Sequence, residues 1–374
     1  MHPQQLAVYS AVGTASALFT WLGARLFMQK LEFPGVNFKI LLANLLIKTA
    51  FKSLGSKLSV LDVKVSPIHR VIESDLLRIE TIPLSFDANS SELYLKESSE
   101  LSEYIIRVYQ PKQYREEGYP ILMYIHGGGW MFGSIDTSDD FCRHVSNNNY
   151  LVISVDYRKT PQHVFPACLN DCLNALCWIG KNFKKYNGNI NQLTICGDSA
   201  GGHLSIHTQI RIFSLEKNII ESENIPKITH QALIYPATEI YENSDSKYQS
   251  LTKYRDSGLI INAPMVDMFW KQLIGVNTSI ENAKLNPFLS IMSAIDPTSN
   301  SQFYSQFPKG FIWLAEYDVL RDEGQLFGDV INKSTNEKRI EIREWKQQVH
   351  GFLSFRKEIT FSEFVNQLNS LTQG

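Results

Sequence analysis

The apolar run Leu193-Thr194-Ile195-Cys196 stops at Gly197-Asp198-Ser199-Ala200-Gly201, and helical spacing begins directly behind it. Few local patterns restrict a fold as tightly. A short apolar run bounded by glycine has the length of a buried strand, and the amphipathic stretch after it has the period of a helix, so Ser199 falls on a strand-to-helix corner. Glycines on both sides let backbone segments approach where a Cβ would clash. The corner presents the hydroxyl at a helix amino terminus, whose amides and dipole favour developing negative charge. A second string, His126-Gly127-Gly128-Gly129-Trp130, follows another apolar run at residues 121–125. Its glycine amides can approach a bound carbonyl closely, as a loop that receives an oxyanion requires. Either string alone is weak evidence. In this order, each after a strand, they point to a serine that attacks carbonyls.

From about residue 102 the chain alternates strand and helix patterns. Strands are expected at 104–109, 121–125, 151–155, 193–196, 232–235, 310–314 and 339–343, with helices over 167–184 and 199–213. Several strands are continuous apolar runs, so the expected fold is α/β, a mostly parallel sheet with helices on both faces. Residues 239–289 interrupt the alternation and carry Tyr248, Tyr254, Met265, Met268, Phe269 and Trp270. An aromatic-rich insertion at this point suits a cap over the carboxyl ends of the strands. The expected organisation is therefore an amino-terminal apolar helical segment at 1–60, a catalytic domain at 61–238 and 290–374, and the cap at 239–289. The Ser-rich stretch 85–102 reads as an exposed turn or hairpin.

With 374 residues, 44% of them hydrophobic, the chain can bury one large core and still build a cap. The net charge is −2 and the cations are scattered, which argues against nucleic acid as a partner. Five cysteines form no C-x-x-C pair and read as small buried residues of a reduced protein. Residues 6–24 contain no charge. That stretch reads either as a membrane-associating helix, with attachment through residues 1–28, or as a helix packed on the enzyme body. The compartment is accordingly cytoplasmic or membrane-associated. Residues 37–52 read as an amphipathic helix with a basic face. A homodimer is compatible with the sequence.

A serine needs a base to remove its proton and an acid to orient that base. Of nine histidines, His350 opens the loop after the 339–343 strand and can swing over the serine. His203 and His207 share the nucleophile helix and read as packing residues, and His126 reads as ordering its own glycine loop. Asp318 follows the 310–314 strand and lies between Ser199 and His350 in the chain, as the acid should. It is preferred over Glu316, Asp322 and Glu323, the last two reading as first-turn helix acids. The amide of Ala200, next to the nucleophile, would complete an oxyanion hole with amides from the Gly127, Gly128 and Gly129 loop, the sequence leaving open which two of the three point inward. Neither a metal nor an organic cofactor is called for.

With HGGGW, GDSAGG, YDVLRDEG and the terminal HGF in order, residues 100–374 resemble the hormone-sensitive lipase family of α/β-hydrolases. Asp156-Tyr157-Arg158, Phe165-Pro166-Ala167 and Asn286-Pro287 resemble further family stretches, while Val319, Lys159 and Thr160 depart from the usual residues. The resemblance implies a Ser199, Asp318, His350 triad and oxyanion amides from Gly128, Gly129 and Ala200, with Gly127 shaping the loop. It also implies a cap built from the amino-terminal extension and the insertion. The expected activity is hydrolysis of uncharged, short- to medium-chain or lipid-like small-molecule esters. Amide hydrolysis at the same site and a non-catalytic receptor of the same fold are the alternatives.

Overall fold

The computed structural model describes residues 26, 29, 30, 32–54, 70–97, 102–241, 247–335 and 337–373. Among them, nine strands form one sheet in the order β1-β2-β3-β5-β4-β6-β7-β8-β9. These are β1 (Arg70–Glu73), β2 (Leu77–Phe86), β3 (Ser102–Pro111), β4 (Tyr119–Ile125), β5 (Leu151–Asp156), β6 (Gly188–Asp198), β7 (His230–Ile234), β8 (Lys309–Tyr317) and β9 (Ile340–Val349). The pairs β1/β2, β2/β3 and β3/β5 are antiparallel, and every other neighbouring pair is parallel. All seven expected strands are present, although β9 runs on to Val349 and Tyr235 falls just beyond β7. β1 and β2 were not anticipated. Leu77–Phe86 mixes charge with apolar residues and contains Pro83, which reads as a strand breaker away from an edge.

Every residue of β4 and β5 is buried, because helices cover both faces of the sheet. The period of two decides which face each side chain serves. Leu122 and Tyr124 pack on one side with Phe141 and Val145 from the helix at Asp139–Asn147 and with Phe364 and Leu368 from the helix at Lys357–Gln373. Ile121, Met123 and Ile125 pack on the other with Leu169, Leu173 and Leu204. In chain order the principal helices are α1 (Phe38–Leu54), α2 (Asp139–Asn147), α3 (Ala167–Asn182), α4 (Ala200–Phe213), α5 (Ala263–Ile274), α6 (Arg321–Thr335) and α7 (Lys357–Gln373). All five cysteines are free and buried.

The expected exposed stretch at 85–102 is only partly so. Ala88, Leu93 and Tyr94 are buried, and Glu97 forms an ion pair with Arg158. Residues 98–101 lie outside the described part.

Between β7 and β8, residues 249–284 fold into short helices around α5. α5 forms because Asn262 caps it, its side chain accepting from Met265 N at 3.1 Å, and because Met265, Val266, Phe269, Trp270 and Leu273 make one buried stripe. Residues 33–48 close onto this insertion. Phe33 is fully buried against Tyr254 and Tyr317, with ring centroids 5.9 and 5.3 Å away. Asn44 Oδ1 accepts from Ile260 N at 2.9 Å, and Lys48 Nζ donates to the carbonyls of Asp256 and Ser257. Among the described residues no helix is long and apolar enough to cross a membrane, and the uncharged stretch 6–24 lies outside them.

Candidate active site

β6 ends at Asp198 and α4 begins at Ala200, leaving Ser199 alone on the corner with φ 54° and ψ −119°. A non-glycine residue held there stores roughly 1–3 kcal/mol of backbone strain, which the surroundings must offset. Ser199 N donates to Ile234 O on β7 at 2.9 Å, and Ser199 O accepts from His203 N at 3.1 Å. Gly201 is required by contact, since a Cβ there would lie 1.9 Å from Ile125 O.

The loops after β8 and β9 bring the expected acid and base to this corner. His350 Nε2 is 2.8 Å from Ser199 Oγ, and His350 Nδ1 is 2.7 Å from Asp318 Oδ2. The Asp318 carboxylate accepts a hydrogen bond from the Nδ1–H, which leaves Nε2 without a proton and free to accept from the serine hydroxyl. Asp318 is itself held by Leu320 N, which donates to Oδ1 at 3.0 Å. The Tyr235 ring stacks obliquely on the imidazole, 4.6 Å between centroids. The rival acids are engaged elsewhere. Glu316 accepts from Gln347 N, Asp322 from Ser250 N, and Glu323 from Thr238 N. Asp322 and Glu323 do stand in the first turn of α6, and Glu323 is fully buried there, where burial together with nearby Glu239 pushes its carboxyl well above the usual range.

The glycine loop turns sharply after His126. Gly128 has φ +123°, open to glycine alone, and its carbonyl accepts from Met131 N and Phe132 N. One expectation needs correction. Gly127 N donates to Asp198 Oδ1 at 2.8 Å, so this amide is committed within the protein and is not an oxyanion donor. The amides of Gly128, Gly129 and Ala200 have no protein acceptor among the described residues. Tyr124 OH donates to the same Asp198 oxygen at 2.6 Å. Asp198 therefore anchors the loop, a role the motif's variable position did not advertise.

Below the loop, His126 Nδ1 lies 2.8 Å from Gly127 O and its ring stacks on Tyr157 at 4.5 Å. Tyr157 OH donates to His126 O and Thr160 N to Trp130 O, so residues 157–160 cradle the loop from both ends. Thr160 serves here through its backbone amide. Burial alone would raise the Asp156 carboxyl, but His126 and Lys159 outweigh it and hold the group below the usual range. From above, α5 covers the loop. A Cβ on Gly129 would come within 2.7 Å of the Phe269 ring, and Trp130 meets Trp270 at 4.3 Å. His203 and His207 stack against each other at 4.0 Å beneath Trp130 and Trp270, fully buried as packing residues.

A serine on a strained corner, joined through histidine to a buried aspartate at the carboxyl ends of parallel strands, defines a serine hydrolase of the α/β-hydrolase class. Comparison with known proteins agrees, since the profile of the alpha/beta hydrolase fold family matches residues 122–354. The chain belongs to this family, and the resemblance to its hormone-sensitive lipase branch holds. It is 29% identical over 256 residues to carboxylesterase NlhH of Mycobacterium tuberculosis, covering 68% of this chain and 73% of that protein. It is 34% identical over 226 residues to an arylesterase of Saccharolobus solfataricus, covering 59% of this chain and 64% of that one. Among solved structures, a hyperthermophilic esterase from the archaeon Pyrobaculum calidifontis superposes with a TM-score of 0.62 at 25% identity, over 91% of this chain and 93% of that one.

Proposed function

We propose that the protein is a carboxylester hydrolase that works through an acyl-serine intermediate on Ser199. The observation that carries this reading is the unbroken line from Asp318 through His350 to Ser199, with contacts of 2.7 and 2.8 Å. His350 Nε2 takes the hydroxyl proton as Ser199 Oγ attacks the ester carbonyl, and Asp318 steadies the imidazolium that results. The carbonyl oxygen becomes an oxyanion facing the amides of Gly128, Gly129 and Ala200, each such donor contributing about 2.7–4 kcal/mol in the transition state. Collapse breaks the ester C–O bond, and His350 returns its proton to the departing alkoxide. Water then repeats the sequence on the acyl-serine, releasing the acid and restoring Ser199.

The aromatic surface that α5 turns toward the glycine loop favours uncharged esters with short to medium acyl groups or lipid-like alcohols. A panel of p-nitrophenyl acyl esters of increasing length tests both levels. Turnover should be present in the parent and fall by about 10⁴- to 10⁶-fold in Ser199→Ala. Turnover that survives Ser199→Ala sinks the mechanism.

A further inference from the structure

We propose that the protein docks on anionic membrane surfaces through the face shared by α1 and the segment after His350. A groove of about 930 Å³ runs between them, lined by Lys30, Lys39, Lys346, Arg356 and Lys357 against a single carboxylate, Glu358. The whole chain carries a net charge of −2, so this face reverses the sign of the molecule. Three of the cations have acceptors: Lys30 at Val36 O, Lys346 at Glu344 and Lys357 at Asp140. Lys39 and Arg356 have no acidic side chain paired with them among the described residues, so their charge is available to an anion from outside.

Large apolar side chains stand among these cations. Phe355 and Ile359, on the groove wall, are 40% and 47% exposed, and Phe38, beside Lys39, is 59% exposed. α1 buries Ile40, Leu41, Asn44 and Leu45 against the body and packs Leu42 partly on it, while Phe38 and Leu46 stand out on its solvent side, with Leu46 62% exposed. A helix that met only water on that side would carry polar residues there. A soluble polyanion neutralises lysines but leaves phenyl rings in water, whereas a bilayer interface accepts both. The chain order agrees, because the uncharged residues 6–24 end shortly before Lys30 and are long enough to enter a bilayer.

The test is co-sedimentation of the full-length protein with phosphatidylcholine vesicles, with and without phosphatidylserine. Partitioning should rise at least about tenfold with phosphatidylserine and weaken as salt is added. The Lys39→Glu, Arg356→Glu variant should bring the ratio of the two partition coefficients close to unity, with melting temperature and hydrolysis of a short soluble ester unchanged. Any bilayer contribution from residues 6–24 enters both compositions and cancels in that ratio. Phe38→Ser with Ile359→Ser should weaken binding to both vesicles. A parent without preference for phosphatidylserine, or a ratio untouched by charge reversal, overturns the proposal. Binding to soluble polyglutamate as tight as to vesicles, and indifferent to loss of Phe38 and Ile359, would replace the membrane by a soluble polyanion.

Discussion

Asp198 stands between a glycine and the nucleophile, and its carboxylate, not its place in the motif, is what the site uses. One oxygen accepts from both Gly127 N and Tyr124 OH, so removing it frees an amide and loosens the turn that aims the next two. Asp198→Ala is expected to lower kcat by about 10- to 100-fold with little change in KM, since ground-state binding does not pass through that bond. Asp198→Asn keeps an acceptor in place and should recover most of the rate, which steady-state kinetics on one ester can show. Ser199, Asp318 and His350 could be read from the chain because the chemistry demands a fixed order and a strand before each loop. Asp198 could not. Its partner lies 71 residues away, and nothing local to either residue announces the contact.

The element scale repeats this pattern. Buried parallel strands declare themselves as apolar runs, so the central sheet was legible, whereas β2 alternates around Pro83 and its pairing with β3 becomes visible only in three dimensions. The insertion was legible as a break in the alternation, but its seating of Phe269 on Gly129 was not, because side-chain direction depends on how α5 lies. α4 carries a further consequence. His203 and His207 sit in its buried face, and burial lowers both, His207 to about 4 and His203 well below its usual value. The unfolded chain binds a proton at each below about pH 6.5 while the fold leaves them neutral, so stability is full above that pH and drains away as pH falls toward 4. Each neutral histidine should add a slope of about 1.4 kcal/mol per pH unit in that window. Denaturation of His207→Gln across the same pH range should show a shallower slope, and an unchanged slope would contradict the assignment.

For the whole molecule, the stretch around Phe33 and Pro34 is built into the hydrolase body. Phe33 joins Tyr254 of the insertion to Tyr317, the residue before Asp318, and Tyr317 OH donates to Pro34 O. Phe33→Ala should cost about 3–5 kcal/mol of stability, read as a lower urea midpoint, and should depress turnover through Asp318 as well. This tie is invisible in the sequence, because the family resemblance begins only at about residue 100 and a single aromatic anchor has no periodicity to reveal it. The corner at Ser199 sets a different limit on the molecule. Its positive φ is a conformation that glycine adopts without strain, so Ser199→Gly should raise the melting temperature while abolishing turnover, a trade that differential scanning calorimetry can measure. Selection for heat resistance alone would therefore discard the nucleophile, and a stabilisation campaign on this protein has to hold residue 199 constant while it varies the rest.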